Sequence, residues 1–180
     1  MISSPRTPAP EGFEPVEVPR LRTVLATELQ GDLHVVDRWT RDLYAGPSHR
    51  LPLGITLEEL WTPEHGHVLR RADTSELIPA AAIRAALRAL VDAWTEVCRH
   101  DRIEEAPADW TPSPRRDGQP AITWRGPVFA APGGAIPDLQ TRWTATSGAF
   151  LARTDNSGAL TRADIQGTLA GLRAALDALG

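Results

Sequence analysis

The tightest cluster of side chains that could do chemistry is Glu64-His65-Gly66-His67. In an extended segment, two His residues separated by one position lie on the same face, a spacing that mononuclear metal sites use. A site would still need a third ligand, and His34, His49 or Asp37 would have to be brought in by the fold. Because two His at the tip of a turn are usually solvated, we expect no metal and no cofactor. Asp37, Glu64, His65 and His67 are the catalytic candidates only if the chain is an enzyme.

Other signatures of catalysis are missing from the sequence. It contains no nucleophile elbow, phosphate-binding loop or dinucleotide fingerprint. The single cysteine, Cys98, excludes an internal disulfide and a site built from several thiolates. Since Cys98 falls within a predicted helix, we interpret it as a small buried hydrophobic residue.

Three residues of a Pro-rich loop at 104–120 are candidates for binding a partner: Trp110, Arg115 and Arg116. Long loops in compact domains often bind something, and we expect Trp110 to be the exposed aromatic contact. Five of the six Trp residues are followed by Thr, and Arg-Trp-Thr occurs at 38–40 and at 142–144. Their intervals define no stacking unit and do not support a repeat architecture.

Charge and hydropathy exclude two classes of partner. The net charge is −4 without a long basic block, so we expect no nucleic-acid binding. No apolar run approaches the roughly 20 residues that span a bilayer, and no secretory signal is visible, so we expect a cytoplasmic protein without membrane contact. All 19 basic residues are Arg, which indicates a GC-rich, actinobacterial-like genome.

The first part of the domain has the patterns of strands. The segments 22–29 and 33–39 flank Gln30-Gly31-Asp32 as a hairpin would. Residues 53–58 alternate between apolar and polar, and a turn at 62–66 leads into a strand at 67–71. These segments predict four strands in meander order, although residues 57–60 could instead open a short helix.

Two helices are predicted from apolar residues that recur at helical spacing. One covers 79–99, with an apolar stripe from Ile83 to Val97, and the other covers 161–179, with a capping-box start at Thr161 and Asp164. Between them lie the loop at 104–120 and two strand candidates, 121–130 and 140–153.

The sequence therefore predicts an α+β protein in which an antiparallel meander sheet packs against two amphipathic helices. Residues 1–20 are predicted to be a Pro-rich extended arm, and residues 21–180 a single domain with one core. We expect a non-enzymatic accessory or assembly protein of a larger bacterial or phage complex, with a protein partner or a homo-oligomer. The alternatives are a small enzyme or ligand-binding domain with a site in the concave sheet face, and a DNA-binding regulator.

Overall fold

The computed structural model describes residues 8–16, 43–63 and 65–180, together with the backbone of 24–29 and 32–37. The elements in chain order are the strands β1 (Glu14–Pro15), β2 (Val24–Leu29), β3 (Asp32–Asp37), β4 (Tyr44–Arg50), β5 (Thr56–Thr62), β6 (Gly66–Arg71) and β7 (Leu77–Ile78), the helix α1 (Ala80–Arg99), the strands β8 (Thr111–Pro112), β9 (Trp124–Phe129), β10 (Leu139–Thr144), β11 (Gly148–Arg153) and β12 (Ala159–Leu160), and the helix α2 (Arg162–Ala178).

The strands form two antiparallel five-stranded sheets and a separate hairpin. The first sheet has the order β1-β4-β5-β6-β7, the second has the order β8-β9-β10-β11-β12, and β2 pairs with β3. The predicted α+β class, with antiparallel meanders and two helices, is confirmed. The meander is nevertheless built twice rather than once.

The two sheets are copies of one structural unit. In each, a two-residue strand is followed by three long strands, a second two-residue strand and a helix. The pairing of β5 with β6 has the same register as the pairing of β10 with β11, displaced by 82 residues. Identical residues occupy equivalent positions at Leu57 and Leu139, Trp61 and Trp143, Gly66 and Gly148, Leu69 and Leu151, Arg71 and Arg153, Asp73 and Asp155, and Leu90 and Leu172. We call residues 9–99 the first repeat and residues 106–180 the second repeat.

The start of each repeat is also equivalent. A β-bulge lies at the Gly46-Pro47 step of β4 and at the Gly126-Pro127 step of β9. The ring of Phe13 lies against Gly46 and the ring of Trp110 lies against Gly126, so a Cβ atom on either glycine would collide with an aromatic ring. Each bulge therefore lets an aromatic side chain lie directly on the backbone of the sheet.

The helices are exchanged between the repeats. Helix α1 follows the first sheet but packs on β9, β10 and β11, and α2 follows the second sheet but packs on β4 and β5. The two helices also pack on each other, and one hydrophobic core joins both helices to both sheets. Neither repeat buries the helix-facing side of its sheet, here called the inner face, without the other repeat.

An arginine of each repeat reaches across to the backbone of the other. Arg71 donates from Nη1 to the carbonyl of Gly134 at 2.7 Å, and Arg153 donates from Nη1 to the carbonyl of Leu53 at 3.1 Å. Each guanidinium also pairs with the aspartate two residues later, Asp73 or Asp155. The hydrogen bond from Arg71 lowers the pKa of Asp73 below its ordinary value. These equivalent ion pairs orient the guanidinium groups toward the interface between the repeats.

Both predicted helices are confirmed. Helix α1 buries residues along one side, including Ile83, Leu90 and Val97. Thr161 caps α2 by accepting from the backbone N–H of Asp164, whose carboxylate accepts from the Thr161 N–H, so the predicted capping box is present. The expectation that Cys98 is buried is wrong, because its side chain lies on the exposed side of α1.

The strand predictions were accurate only where turns had been recognised. The predicted strand at 140–153 is two strands, β10 and β11, joined by a turn at 145–147 with Gly148 at a positive φ of 66°. Strand β4 was not predicted, and residues 57–60 are strand rather than helix. Of the predicted Pro-rich arm, residues 1–7 and 17–20 lie outside the described residues, whereas Glu14–Pro15 pairs with β4.

Leu172 tests the role of α2 in the shared core. Its side chain is 0% exposed, so Leu172→Ala is expected to lower the free energy of unfolding by about 2–5 kcal/mol. Urea denaturation of this variant measures the loss, and Arg173→Ala, an exposed neighbour on the same helix, should change it by less than about 0.5 kcal/mol. Equal effects of the two substitutions would contradict the packing of α2 described here.

Gly126 tests the contact between the bulge and Trp110. Gly126→Ala is expected to lower the free energy of unfolding by about 1–3 kcal/mol, because the added methyl group would collide with the indole of Trp110 and with Thr141 Oγ1. Adding Trp110→Leu should make the cost of Gly126→Ala smaller, since the smaller side chain leaves room. A double-mutant cycle by thermal or urea denaturation measures this coupling. Strictly additive losses would show that the indole does not determine the need for glycine.

Candidate functional site

The histidines of the predicted cluster are exposed, as expected for a turn. The backbone N–H of His65 donates to Thr62 Oγ1 at 3.0 Å, and His67 begins the strand that returns from the turn. Glu64 lies outside the described residues, as does the side chain of Asp37, so the proposed catalytic grouping stays a prediction. Within the described part of the chain, no three His, Cys, Asp or Glu side chains come together as a metal-binding group.

His67 has a structural role that the sequence did not indicate. Its ring stacks on Phe13 with 5.0 Å between centroids, and its Nδ1–H donates to the carbonyl of Ala178 at 2.7 Å. That carbonyl belongs to the last turn of α2, where carbonyls have no partner within the helix. His67 therefore connects the N-terminal segment, the first sheet and the end of α2.

Trp110 is not the exposed contact residue that the sequence predicted. It is 4% exposed, and its ring lies against Gly126 and makes an edge contact with His100 at 5.3 Å between centroids. The loop interpretation failed because Trp110 immediately precedes β8, at the same place where Phe13 precedes β1. Arg115 and Arg116 are exposed as expected, in a loop closed by the Ser113 N–H donating to the carbonyl of Thr123. Their role in binding stays a prediction.

A buried acid–base pair was missed by the sequence analysis. His49 Nε2 lies 2.5 Å from Glu59 Oε1, on the inner face of the first sheet, and Glu59 is 8% exposed. Glu59 also lines a depression of about 170 Å³, but the other side chains around it, such as Ala45, Leu60 and Arg70, belong to the outer face of the sheet. Ligand pockets usually have about 300–1,000 Å³, so this depression is small for a substrate.

The most unusual surface is the outer face of the second sheet, the side away from the helices. Side chains of β10 alternate between buried and half-exposed, with Leu139, Thr141 and Trp143 on the inner face. We define the basic–apolar face as the outward residues of the three long strands of this sheet: Arg125, Val128, Gln140, Arg142 and Phe150. Val128 is 53% exposed, and Arg125 is also exposed.

Two positive charges lie side by side on the basic–apolar face. Arg125 and Arg142 are directly opposite each other on β9 and β10, an arrangement that destabilises a sheet because like charges repel. Burial, and secondarily the charge of Arg125, lowers the pKa of the Arg142 guanidinium. No described Asp or Glu forms an ion pair with either arginine. Arg142 donates instead to the carbonyl of Arg153 and to Asn156 Oδ1, and its buried Nε finds no acceptor among the described residues.

The equivalent outer positions of the first repeat have different chemistry. Ala45 and Leu60 stand where the second repeat has Arg125 and Arg142. The charges present there neutralise each other, because Arg70 donates from Nε and Nη2 to Glu58 at 3.0 and 2.7 Å. In the second repeat the positions of Glu58 and Arg70 hold Gln140 and Ala152.

The sequence contained a weak signal for this face. A single strand over 140–153 would separate Arg142 from Phe150 by about 26 Å, at about 3.3 Å per residue. The turn at 145–147 folds the segment back, so that Phe150 pairs directly with Arg142. Gly148 after a polar run was the available sign of that turn.

No family model, no curated protein and no solved structure matches this chain. None of the helices in the described ranges is long and apolar enough to cross a membrane. The chemistry of the surfaces is therefore the guide to function.

The two histidines allow a matched test of the role assigned to His67. His67→Ala is expected to lower the free energy of unfolding by about 1 kcal/mol, because it removes the bond to Ala178 and the contact with Phe13. His65→Ala removes only an exposed ring and should change it by less than about 0.5 kcal/mol. Urea denaturation of both variants measures the difference, and equal losses would contradict a specific role for His67.

Proposed function

We propose that this chain is a non-enzymatic interaction protein, an accessory or assembly component of a larger bacterial or phage complex. The observation that carries the proposal is the basic–apolar face, where Val128 and Arg125 are exposed beside half-buried Phe150 and Arg142. Val128 on β9 and Phe150 on β11 lie on either side of β10, and apolar side chains among polar ones on an exposed sheet face are typical of surfaces that bind another protein. The partner would bind to the second repeat.

The arrangement of the core supports a binding role more than a catalytic one. The space between the sheets and the helices is filled by apolar side chains, many of them fully buried, such as Leu57, Leu139 and Leu151. A substrate site needs a concave space with directed polar groups. The packed inner faces leave the outer surfaces as the places where a partner can bind.

A second candidate function is binding or conversion of a small molecule by the first repeat. The supporting observation is the contact of His49 with Glu59, a pairing that general acid–base catalysis uses. This alternative is disfavoured because the depression at Glu59 is small and His49 is not among the residues that line it. A DNA-binding role is disfavoured by the net charge of −4. We also propose a cytoplasmic location.

A pair of matched substitutions tests the interaction role. Val128→Asp places a charge on the basic–apolar face, whereas Val91→Asp makes the same change on the solvent side of α1, where Val91 is 45% exposed. Tagged wild-type protein and both variants would be isolated from the native host and analysed by size-exclusion chromatography. We expect the wild type and Val91→Asp each to elute as part of a larger complex, and Val128→Asp to elute outside that complex. The melting temperature of Val128→Asp should be unchanged.

Two results would contradict the proposal. One is elution of the wild-type chain alone, and the other is identical elution of the two variants in the complex. If instead His49→Gln abolished turnover of a small molecule while the complex was unaffected, the second candidate function would replace the first.

A further inference from the structure

The two repeats allow one surface of the protein to be compared with an internal reference. Both outer faces belong to the same unit, with the same register and the same bulge. Differences between equivalent positions therefore do not come from the strand pairing. Leu60 is 2% exposed and lies with Val16 and Leu43, so the chain itself covers part of the outer face of the first repeat, whereas Arg125 and Val128 of the second repeat are exposed. These differences in residue type reflect what each outer face contacts.

We propose that the basic–apolar face binds an acidic protein segment in which carboxylates flank an apolar side chain. This inference rests on the proposed function and adds the chemical class of the partner. The position equivalent to Glu58 holds Gln140, so the second repeat lacks the carboxylate that neutralises Arg70 in the first. It carries two arginines where the first repeat has Ala45 and Leu60.

The positive charge of the basic–apolar face favours an anionic partner. Two guanidinium groups directly opposite each other repel, and the folded chain supplies no described carboxylate to offset that repulsion. A carboxylate placed between Arg125 and Arg142 would accept charge-assisted hydrogen bonds from both. The buried Nε of Arg142 is a further donor without an acceptor among the described residues.

The apolar part of the face favours a protein segment over a free anion. Val128 lies on the same strand as Arg125, and Phe150 lies directly opposite Arg142. Val128 and Phe150 lie on either side of β10, so an acidic segment that crosses the strands would place an apolar side chain on either of them while its carboxylates meet the arginines. Burying such side chains stabilises a complex in proportion to the apolar area removed from water.

The distribution of charge along the chain supports the same partner. Residues 106–180 carry seven Arg, six Asp and no Glu, so the negative net charge of the protein lies in residues 1–105. Arg115 and Arg116 lie in the loop that joins β8 to β9, next to the strand that carries Arg125. They would extend electrostatic attraction of an acidic segment beyond the sheet.

Nucleic acid is the competing anionic partner, and the structure favours it less. Four arginines near one sheet could contact phosphates, and Phe150 could stack on a base. The overall charge of −4 opposes the long-range attraction that such proteins use. The exposed side chain of Val128 suits an apolar side chain better than a base edge.

Fluorescence anisotropy of the full-length protein tests the partner class. The probe is a short labelled peptide in which Glu residues flank a central Leu-Phe pair. The same peptide with Lys in place of each Glu, and a labelled oligothymidine of equal negative charge, are the comparisons. We expect saturable binding of the acidic peptide alone, weakened by added salt.

Variants locate the binding on the face. Arg125→Gln should weaken the acidic peptide about two- to fivefold, the contribution of one exposed ion pair, and Val128→Asp should weaken it by about tenfold or more. Arg173→Gln removes the same charge from the exposed side of α2 and should have no effect. Circular dichroism of each variant checks that the fold is retained.

Several results would overturn the inference. Equal binding of the Lys peptide, tighter binding of oligothymidine, or equal effects of Arg125→Gln and Arg173→Gln would each exclude an acidic segment on this face. If the protein does not bind the acidic peptide, but Val128→Asp still abolishes the native complex, the partner class is refuted and the interaction role stands. Absence of both effects would refute the two proposals together.

Discussion

The inner face of each sheet is buried mainly by the helix of the other repeat, and most of the structure depends on that exchange. Leu57 and Leu139 occupy equivalent inner positions, both are 0% exposed, and both belong to one core. A five-stranded meander without a covering helix would leave such residues in water, at a cost of about 1.5–3 kcal/mol for each large side chain. The two repeats must therefore fold together, and their outer faces are left free of this constraint.

The helices and the fold class could be predicted because their signals are local. An apolar stripe and a capping box can be recognised within a short stretch of sequence. Helix α2 begins at the residue after its predicted cap at Thr161. The strands were harder, because their ends depend on turns. The turn at 145–147 and strand β4 were missed, since Tyr44–Arg50 contains a glycine and a proline that are typical of loops but here form a bulge.

The duplication was missed because the most visible motif pointed to the wrong pairing. Arg-Trp-Thr occurs at 38–40 and 142–144, yet the residue equivalent to Trp143 is Trp61. Between Val16 and Leu43 the first repeat contains a long insertion that includes β2 and β3, whereas the second repeat joins the equivalent positions by a shorter loop. Because of that insertion, equivalent residues of the two repeats are not separated by a constant number of positions in the sequence. The strand register is needed to identify them. Trp110 and the basic–apolar face could not be assigned before the register was known.

Selection for folding acts differently on the two sides of each sheet. Inner positions keep the same residue in both repeats at Leu69 and Leu151, because each fills the shared core. The outer positions differ in charge, and among the described strand pairs of the two sheets only those of the second repeat place like charges opposite each other. That repulsion does not stabilise the fold. In natural proteins, residues that are locally unfavourable for folding are concentrated at functional sites. The same unit shows at Glu58 and Arg70 that a neutral outer face is compatible with the fold. The requirement for Arg125 and Arg142 is therefore expected to come from a molecule that binds there.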